Sequence, residues 1–295
     1  MLIVNLIKKN NFYCRNNIYF KFCCIIIIKK LNKIGIIGCG WLGLNLAKTL
    51  IKNNFKVIGT KTTEKGILKL NKFKIKGIIF KIDNGKIFGE IDFFKKIDQL
   101  IISIPPSINK YDKSIETLFQ LVNENINIKK ILFLSSISVY GKNENEIFEN
   151  SQIYPETKNA KLLSYAEKKF LNLNFSVSII RLGGLIGFDR HPIFSLINKK
   201  INNPKGYINF IHKTDAIKVI IYLIKTPKIN GVINCVSPFH PNRKKYYIEI
   251  AKKLNLKKPV FNNKEKHLRK INSNKIDLKK LFNYPVDNLL IDFNK

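Results

Sequence analysis

The sequence predicts an α/β fold, a doubly wound parallel sheet with a smaller C-terminal α/β part that covers a substrate. Three observations predict it. From Lys33 onward, short apolar runs rich in isoleucine alternate with stretches of helical periodicity. The runs are continuous rather than alternating in polarity, as in strands buried on both faces. The stretch "IGIIGCGWLG" (residues 34–43) then joins the first run to the first helix through glycines at 38, 40 and 43.

The elements follow in order. Residues 34–37 read as a buried strand. In "WLGLNLAKTLIKNN", Leu44, Ala47, Leu50 and Ile51 recur at helical spacing, and Asn53–Asn54 suits the helix end. Residues 55–59, 77–82 and 100–104 read as the second, third and fourth strands. A helix is expected over "SIETLFQLVNEN", with Ser114 as its N-cap. Residues 131–136 form the fifth strand, a helix runs from about Thr157 to Leu171, and residues 176–181 form the sixth strand.

The glycines lie at the turn from the first strand into the first helix. Gly38 permits the tight turn, Gly40 lets the backbone approach a pyrophosphate, and Gly43 allows close packing of helix on strand. The helix start adds free N–H groups and the positive end of the dipole. A Rossmann-type dinucleotide site is therefore expected, with Gly38, Gly40, Trp41, Leu42 and Gly43 around the phosphates. NAD binders usually hold the ribose with an acid about 20 residues beyond the fingerprint. No acid occurs between Gly38 and Glu64, and the end of the second strand reads "GTKTT". Thr60, Lys61 and Thr62 suit a 2′-phosphate, so NADP is expected, with NAD as the alternative. Pro105, in "SIPPS" after the fourth strand, shapes a loop that runs past the cofactor.

Composition excludes several classes. The net charge is +33, from 53 basic and 20 acidic residues, and only five of the basic residues are Arg. Lys, Ile and Asn are over-used along the whole chain, a pattern of codon bias rather than of a basic stripe with interleaved aromatics. No specific nucleic-acid partner is expected. The five cysteines form no C-x-x-C pair, which points to a reducing, cytoplasmic location without disulfides or zinc. "FCCIIII" (residues 22–28) is far shorter than the roughly 18 apolar residues of a spanning helix, and no cleavage site follows it. Residues 1–32 are read as a non-conforming N-terminal extension, and no membrane partner is expected.

From "ILFLSSISVYG" the chain resembles the short-chain dehydrogenase/reductase superfamily in its extended, epimerase/dehydratase-like form. The match is Ser135, Ser136, Val139, Tyr140 and Gly141. "IIRLGGLIG" is similar to the family's Arg-containing sixth strand and loop, "NFIHKTDAI" to its Phe-Ile-His-x-x-Asp segment, and "GVINCVSP" to a late strand of the sheet. With "GCGWLG", "GTKTT", "FDRHP" and "SPFHP", the set resembles the atypical YeeZ-like subgroup over residues 33–292.

The resemblance implies a site. The family's serine, which polarises the substrate oxygen, maps to Ser136. Its Tyr-x-x-x-Lys pair supplies the acid/base and holds the nicotinamide ribose. The lysine maps to Lys161, but the tyrosine position is Thr157, a far weaker acid. The missing proton is then expected from Tyr154, from His191 in the "FDRHP" loop, or from water relayed by Thr157. Tyr165, eight residues along the helix, is read as a surface tyrosine. Asp215 is read as an N-cap or a site residue, and His212 as ordering the same turn.

The expected organisation is a dinucleotide-binding part over 33–182 and a smaller substrate-covering part over 183–295, not fully separate. The expected function is an NADP-dependent oxidoreductase or epimerase-like enzyme on a small carbonyl, alcohol or sugar-derived substrate. A cofactor-binding protein without turnover is the rival, because Thr157 replaces the tyrosine. The expected partner is a small-molecule substrate, and a homodimer is compatible with this reading.

Overall fold

The computed structural model describes residues 33–142, 145–196, 198–262 and 268–282. The reading of residues 1–32 lies outside the described residues.

The N-terminal strands and helices follow the predicted alternation. Strand β1 (Lys33–Ile37) leads into α1 (Trp41–Lys52), β2 (Lys56–Lys61), α2 (Glu64–Asn71) and β3 (Lys76–Asp83). A short strand, β4 (Lys86–Gly89), then folds back on β3. Next come β5 (Gln99–Ile102), α3 (Tyr111–Asn123), β6 (Lys130–Ser136), β7 (Asn145–Ile147), α4 (Lys158–Leu171) and β8 (Ser176–Leu182). The C-terminal part carries β9 (Gly184–Ile186), α5 (Ile193–Leu196), β10 (Lys200–Ile201), β11 (Phe210–His212) and α6 (Lys213–Lys225). It continues through β12 (Gly231–Cys235), α7 (Arg243–Lys253), β13 (Val260–Phe261), β14 (Arg269–Ile271) and α8 (Leu278–Phe282).

The main sheet has eight strands in the order β12-β8-β6-β5-β1-β2-β3-β4. Every neighbouring pair is parallel except β3 with β4. The strand order reverses at β1, between β5 and β2, which is where an open α/β sheet leaves a crevice at its carboxyl edge. Strand β12 is contributed by the C-terminal part, with Asn234 opposite Arg181 of β8. The described residues from Lys33 onward form one compact unit.

Successive strand residues point to opposite faces, so each apolar run feeds two cores. One face places Ile34, Ile36, Ile101, Leu132 and Ile180 against α1, α6 and α8. The other places Leu100, Ile102, Ile131, Phe133 and Ile179 against α3 and α4. A third core lies under α7, around Ile186, Ile193, Tyr246 and Ile250.

Two local expectations are corrected, and one element is added. Ser114 does not cap α3. The helix starts a turn earlier, after Lys110 in a left-handed conformation (φ 45°), and Ser114 is buried within it, accepting from the Gly85 N–H at 3.4 Å. Asp215 does not cap α6. His212 does, accepting from the Thr214 N–H, while Asp215 sits in the first turn paired with Lys218 at 3.1 Å. The β3–β4 hairpin was not expected, although Asn84–Gly85, both at positive φ, is a strong two-residue hairpin signal.

Candidate functional site

The glycine loop lies at the carboxyl end of β1. Gly38 has φ 93°, and a Cβ there would stand 2.4 Å from the Ser103 carbonyl oxygen, so any side chain would collide with the backbone leaving β5. A Cβ at Gly43 would meet the Gly38 carbonyl oxygen at 2.4 Å, which places α1 hard against the loop. At Gly40 nothing lies within 4 Å of the Cβ position. That space lies at the start of α1, where the first backbone N–H groups have no intrahelical partner.

The loop opens into a groove of about 250 Å3 lined by residues 37–40, 60–62, 80–82, Ile104, Pro105 and Ile108. Thr60 is buried, and its hydroxyl accepts from the Gly38 N–H at 3.1 Å, so it anchors the glycine loop itself. The Lys61 stem lies over Gly66 at the start of α2, where a Cβ would come within 2.9 Å. Lys81 also lines the groove, paired with Asp83 at 2.9 Å; no carboxylate is among the lining residues. Burial pushes the Cys39 thiol up to about 11, so it is not a thiolate nucleophile at neutral pH. Leu42 is core, and contributes backbone alone.

Ser136 ends β6 on the wall of a larger cleft of about 960 Å3. Strand alternation separates the paired serines. Ser135 turns inward and donates to Glu167 at 2.5 Å, whereas Ser136 faces the cleft with its oxygen accepting from the Ser138 N–H at 3.1 Å. Behind the sheet, Glu167 forms a buried ion pair with Arg181 at 2.7 Å, and Tyr140 bonds the Asn234 side chain at 2.8 Å. These groups hold the end of β6 rigid.

The structure does not bring the expected acid/base residues to this cleft. Thr157 is the N-cap of α4, its hydroxyl accepting from the Ala160 N–H at 3.1 Å. Lys161 is exposed and lies in a different groove, between α3 and α4, with Asp112, Glu116 and Tyr165. Because α4 begins at Lys158, its inward face is Ala160, Leu163, Ser164 and Glu167. Tyr154 is exposed and does not line the cleft, and neither does His191. His191 is buried, with Nε2 bonded to the Tyr246 hydroxyl at 2.9 Å and Nδ1 accepting from the Ile193 N–H at 3.1 Å. Burial lowers its pKa to about 4. Tyr165 bonds Glu116 at the surface.

Sequence reasoning missed the rest of the cleft. Lys142, Glu156, Asn203, Tyr207, Arg243 and Arg269 all line it. The Arg243 Nε is buried without a hydrogen-bond partner among the described residues, and Arg269 donates to the Gly141 carbonyl. Burial, and then the charge of Arg243, lowers the pKa of Arg269. The available signal was the rarity of arginine in a chain that otherwise uses lysine. A planar, five-donor guanidinium is not interchangeable with an ammonium, so a scarce Arg is a candidate for a geometric role.

Among the described residues, no group of three His, Cys, Asp or Glu is placed to hold a metal ion. No described helix is long and apolar enough to cross a membrane.

A mostly parallel sheet with its glycine turn at the switch point, and Ser136 at a strand end beside a cleft, defines an extended short-chain dehydrogenase/reductase fold of the epimerase/dehydratase type. Solved structures agree. The UDP-glucuronic acid 4-epimerase of Bacillus cereus in complex with NAD superposes with a TM-score of 0.65 at 18% identity, over 85% of this chain and 90% of that one. The dTDP-glucose 4,6-dehydratase of Bacillus anthracis in complex with NAD gives 0.68 at 17% identity, over 85% and 90%. A conserved protein of unknown function from Silicibacter pomeroyi gives 0.70 at 16% identity, over 87% and 95%. At these identities the likeness shows the fold alone. No family model matches the chain. Protein YeeZ of Escherichia coli K12 is 31% identical over 242 residues, 79% of this chain and 88% of YeeZ. The chain belongs to the YeeZ family.

Proposed function

We propose that the protein binds NADP and acts as an oxidoreductase or epimerase-like enzyme on a small carbonyl, alcohol or sugar-derived substrate that carries an anionic group. The observation that carries this reading is the 960 Å3 cleft at the end of β6, with the Ser136 hydroxyl and two guanidiniums among its lining. The open space at Gly40 and the groove lined by Lys61 and Lys81, without a carboxylate, fit a dinucleotide with a 2′-phosphate.

A nicotinamide bound there supplies or accepts a hydride. Ser136 hydrogen-bonds the substrate oxygen, held in place by the Ser138 N–H. Arg243 and Arg269 bind the anionic group. Tyr207 and the Lys142–Glu156 pair are the proton carriers that line the cleft. General acid catalysis contributes about 10²–10⁴-fold, so a site without the family tyrosine turns over slowly. The same reading puts the protein in the cytoplasm with a small molecule as its partner, and admits a homodimer.

A second reading, a cofactor-binding protein without turnover, is favoured by one observation. Thr157 is committed to a helix cap, and Lys161 lies in another groove. Two measurements separate the readings. Calorimetry with NADPH and NADH should show preference for NADPH, and Lys61→Ala should cost NADPH about tenfold or more while sparing NADH. A panel of anionic carbonyl substrates should then give slow NADPH oxidation that Ser136→Ala abolishes. Micromolar cofactor binding with no turnover on the panel selects the second reading. A preference for NADH refutes the assignment of NADP.

A further inference from the structure

We propose that Arg190 and Lys213, held against the indole of Trp41, bind the cofactor pyrophosphate. The inference rests on the dinucleotide reading above and adds a second wall to that site.

Trp41 is the first residue of α1, one position beyond Gly40. Its Nε1 donates to the Asp189 carboxylate at 2.7 Å. A Cβ at Gly187 would stand 2.8 Å from the ring, so the indole lies on that glycine. The Lys213 ammonium is 4.4 Å from the ring centroid and 3.3 Å from Asp189. The Arg190 guanidinium is 5.2 Å from the ring centroid. One side chain of the glycine loop therefore gathers two cations, one from the loop after β9 and one from the start of α6.

Charge explains why this gathering suits a pyrophosphate. The stretch "GCGWLG" holds no basic residue. Its own contribution is backbone N–H groups and a helix dipole equivalent to roughly half an elementary charge. A pyrophosphate carries two negative charges. Asp189 is paired with Lys213 and the indole N–H, while Arg190 has no carboxylate partner among the described residues. The junction therefore keeps one net positive charge beside the helix start. His212 sits at the same junction. Its Nδ1 accepts from the Thr214 N–H at 3.3 Å, and its Nε2 has no hydrogen-bond partner among the described residues. Its ring contacts Phe188, next to Asp189, at 5.3 Å.

The test uses the full chain and its single tryptophan. Titration with NADPH and with NADH is followed by Trp41 emission and by calorimetry. Arg190→Gln and Lys213→Met should each weaken both cofactors by a similar factor, about tenfold or more, and Arg190→Lys should recover part of the loss. A 2′-phosphate contact such as Lys61 would move NADPH alone. Variants that bind both cofactors within twofold of wild type overturn the inference and leave the dinucleotide reading standing. Loss of affinity together with a large fall in melting temperature, unrelieved by Arg190→Lys, assigns these residues a structural role and also overturns it. A wild-type chain that binds neither dinucleotide overturns the parent reading and this one with it.

Discussion

The glycine loop after β1 carries the dinucleotide pattern in full, whereas the turn into α4 keeps only the family's lysine, with Thr157 in the tyrosine's place. At the loop, Gly38 and Gly43 each have a steric reason visible in the fold, while Gly40 borders open space. Gly38 needs a positive φ and a contact that a Cβ would forbid, and Gly43 needs a backbone approach. At α4, the two family positions rest on counting along a helix from a motif some twenty residues upstream. The helix begins at Lys158, so Thr157 becomes its cap and Lys161 faces out. The first pattern is fixed by backbone collision at the motif itself. The second depends on a helix register that the upstream motif does not fix.

The largest expected effect tests the first half of that contrast. Gly38→Ala places a methyl 2.4 Å from a carbonyl oxygen at φ 93°. The left-handed backbone and the forced shift together should cost about 2–5 kcal/mol, read as a fall in the urea midpoint, and dinucleotide binding should vanish. A variant with wild-type stability and binding would show that the loop can relax, and the contrast would fail.

The second prediction concerns a residue that the sequence placed in the cleft. His191 is buried against Tyr246, Tyr247 and Phe210, with the Ile193 N–H at Nδ1 and no charged group among these contacts. Its folded pKa is depressed to about 4 from an ordinary 6.5. Between those values the unfolded chain binds the proton and the folded chain does not. Stability from this group is therefore complete above pH 6.5 and is lost as pH falls toward 4, by roughly 3 kcal/mol in all. Urea unfolding from pH 7 to 4 should show a total loss of stability that is smaller in His191→Gln by about that amount. Equal losses would mean that the imidazole titrates freely and faces water.

How much was legible follows from the same physics. The doubly covered parallel sheet was legible in continuous apolar runs such as residues 131–136, because a strand buried on both faces leaves no polar alternation, whereas the strand order came only with the fold. The two-residue turn at Asn84–Gly85 was legible in principle and overlooked. The cleft was not legible. Arg243 on α7 and Arg269 on β14 are 26 positions apart and meet only in the lining of the cleft. His191 read as a loop residue, since the Tyr246 that covers it lies 55 positions away. No local periodicity encodes either approach.

The third prediction is smaller. Thr157→Ala removes one cap hydrogen bond and should cost about 1 kcal/mol of stability, with cofactor affinity unchanged. Thr157→Tyr should lose the same cap and gain no rate, because position 157 precedes α4 and does not line the cleft. A rate increase in Thr157→Tyr would mean that the α4 register differs from the one described, and that the family's acid position had been correctly counted.

The smallest expected effect makes the sharpest cut between the two regions. Lys161 and Lys61 are both cations that the sequence assigned to the cofactor. In the structure they differ in address. Lys61 lines the glycine-loop groove, whereas Lys161 shares a surface groove with Asp112 and Glu116 of α3. An exposed lysine among carboxylates contributes at most about 1 kcal/mol, and often nothing measurable. Lys161→Ala should therefore bind NADPH within twofold of wild type and keep its melting temperature, measured side by side with Lys61→Ala. If Lys161→Ala instead weakens both cofactors tenfold without destabilising the fold, the α4 side does reach the nicotinamide ribose. The divergence between the two regions would then lie in Thr157 alone.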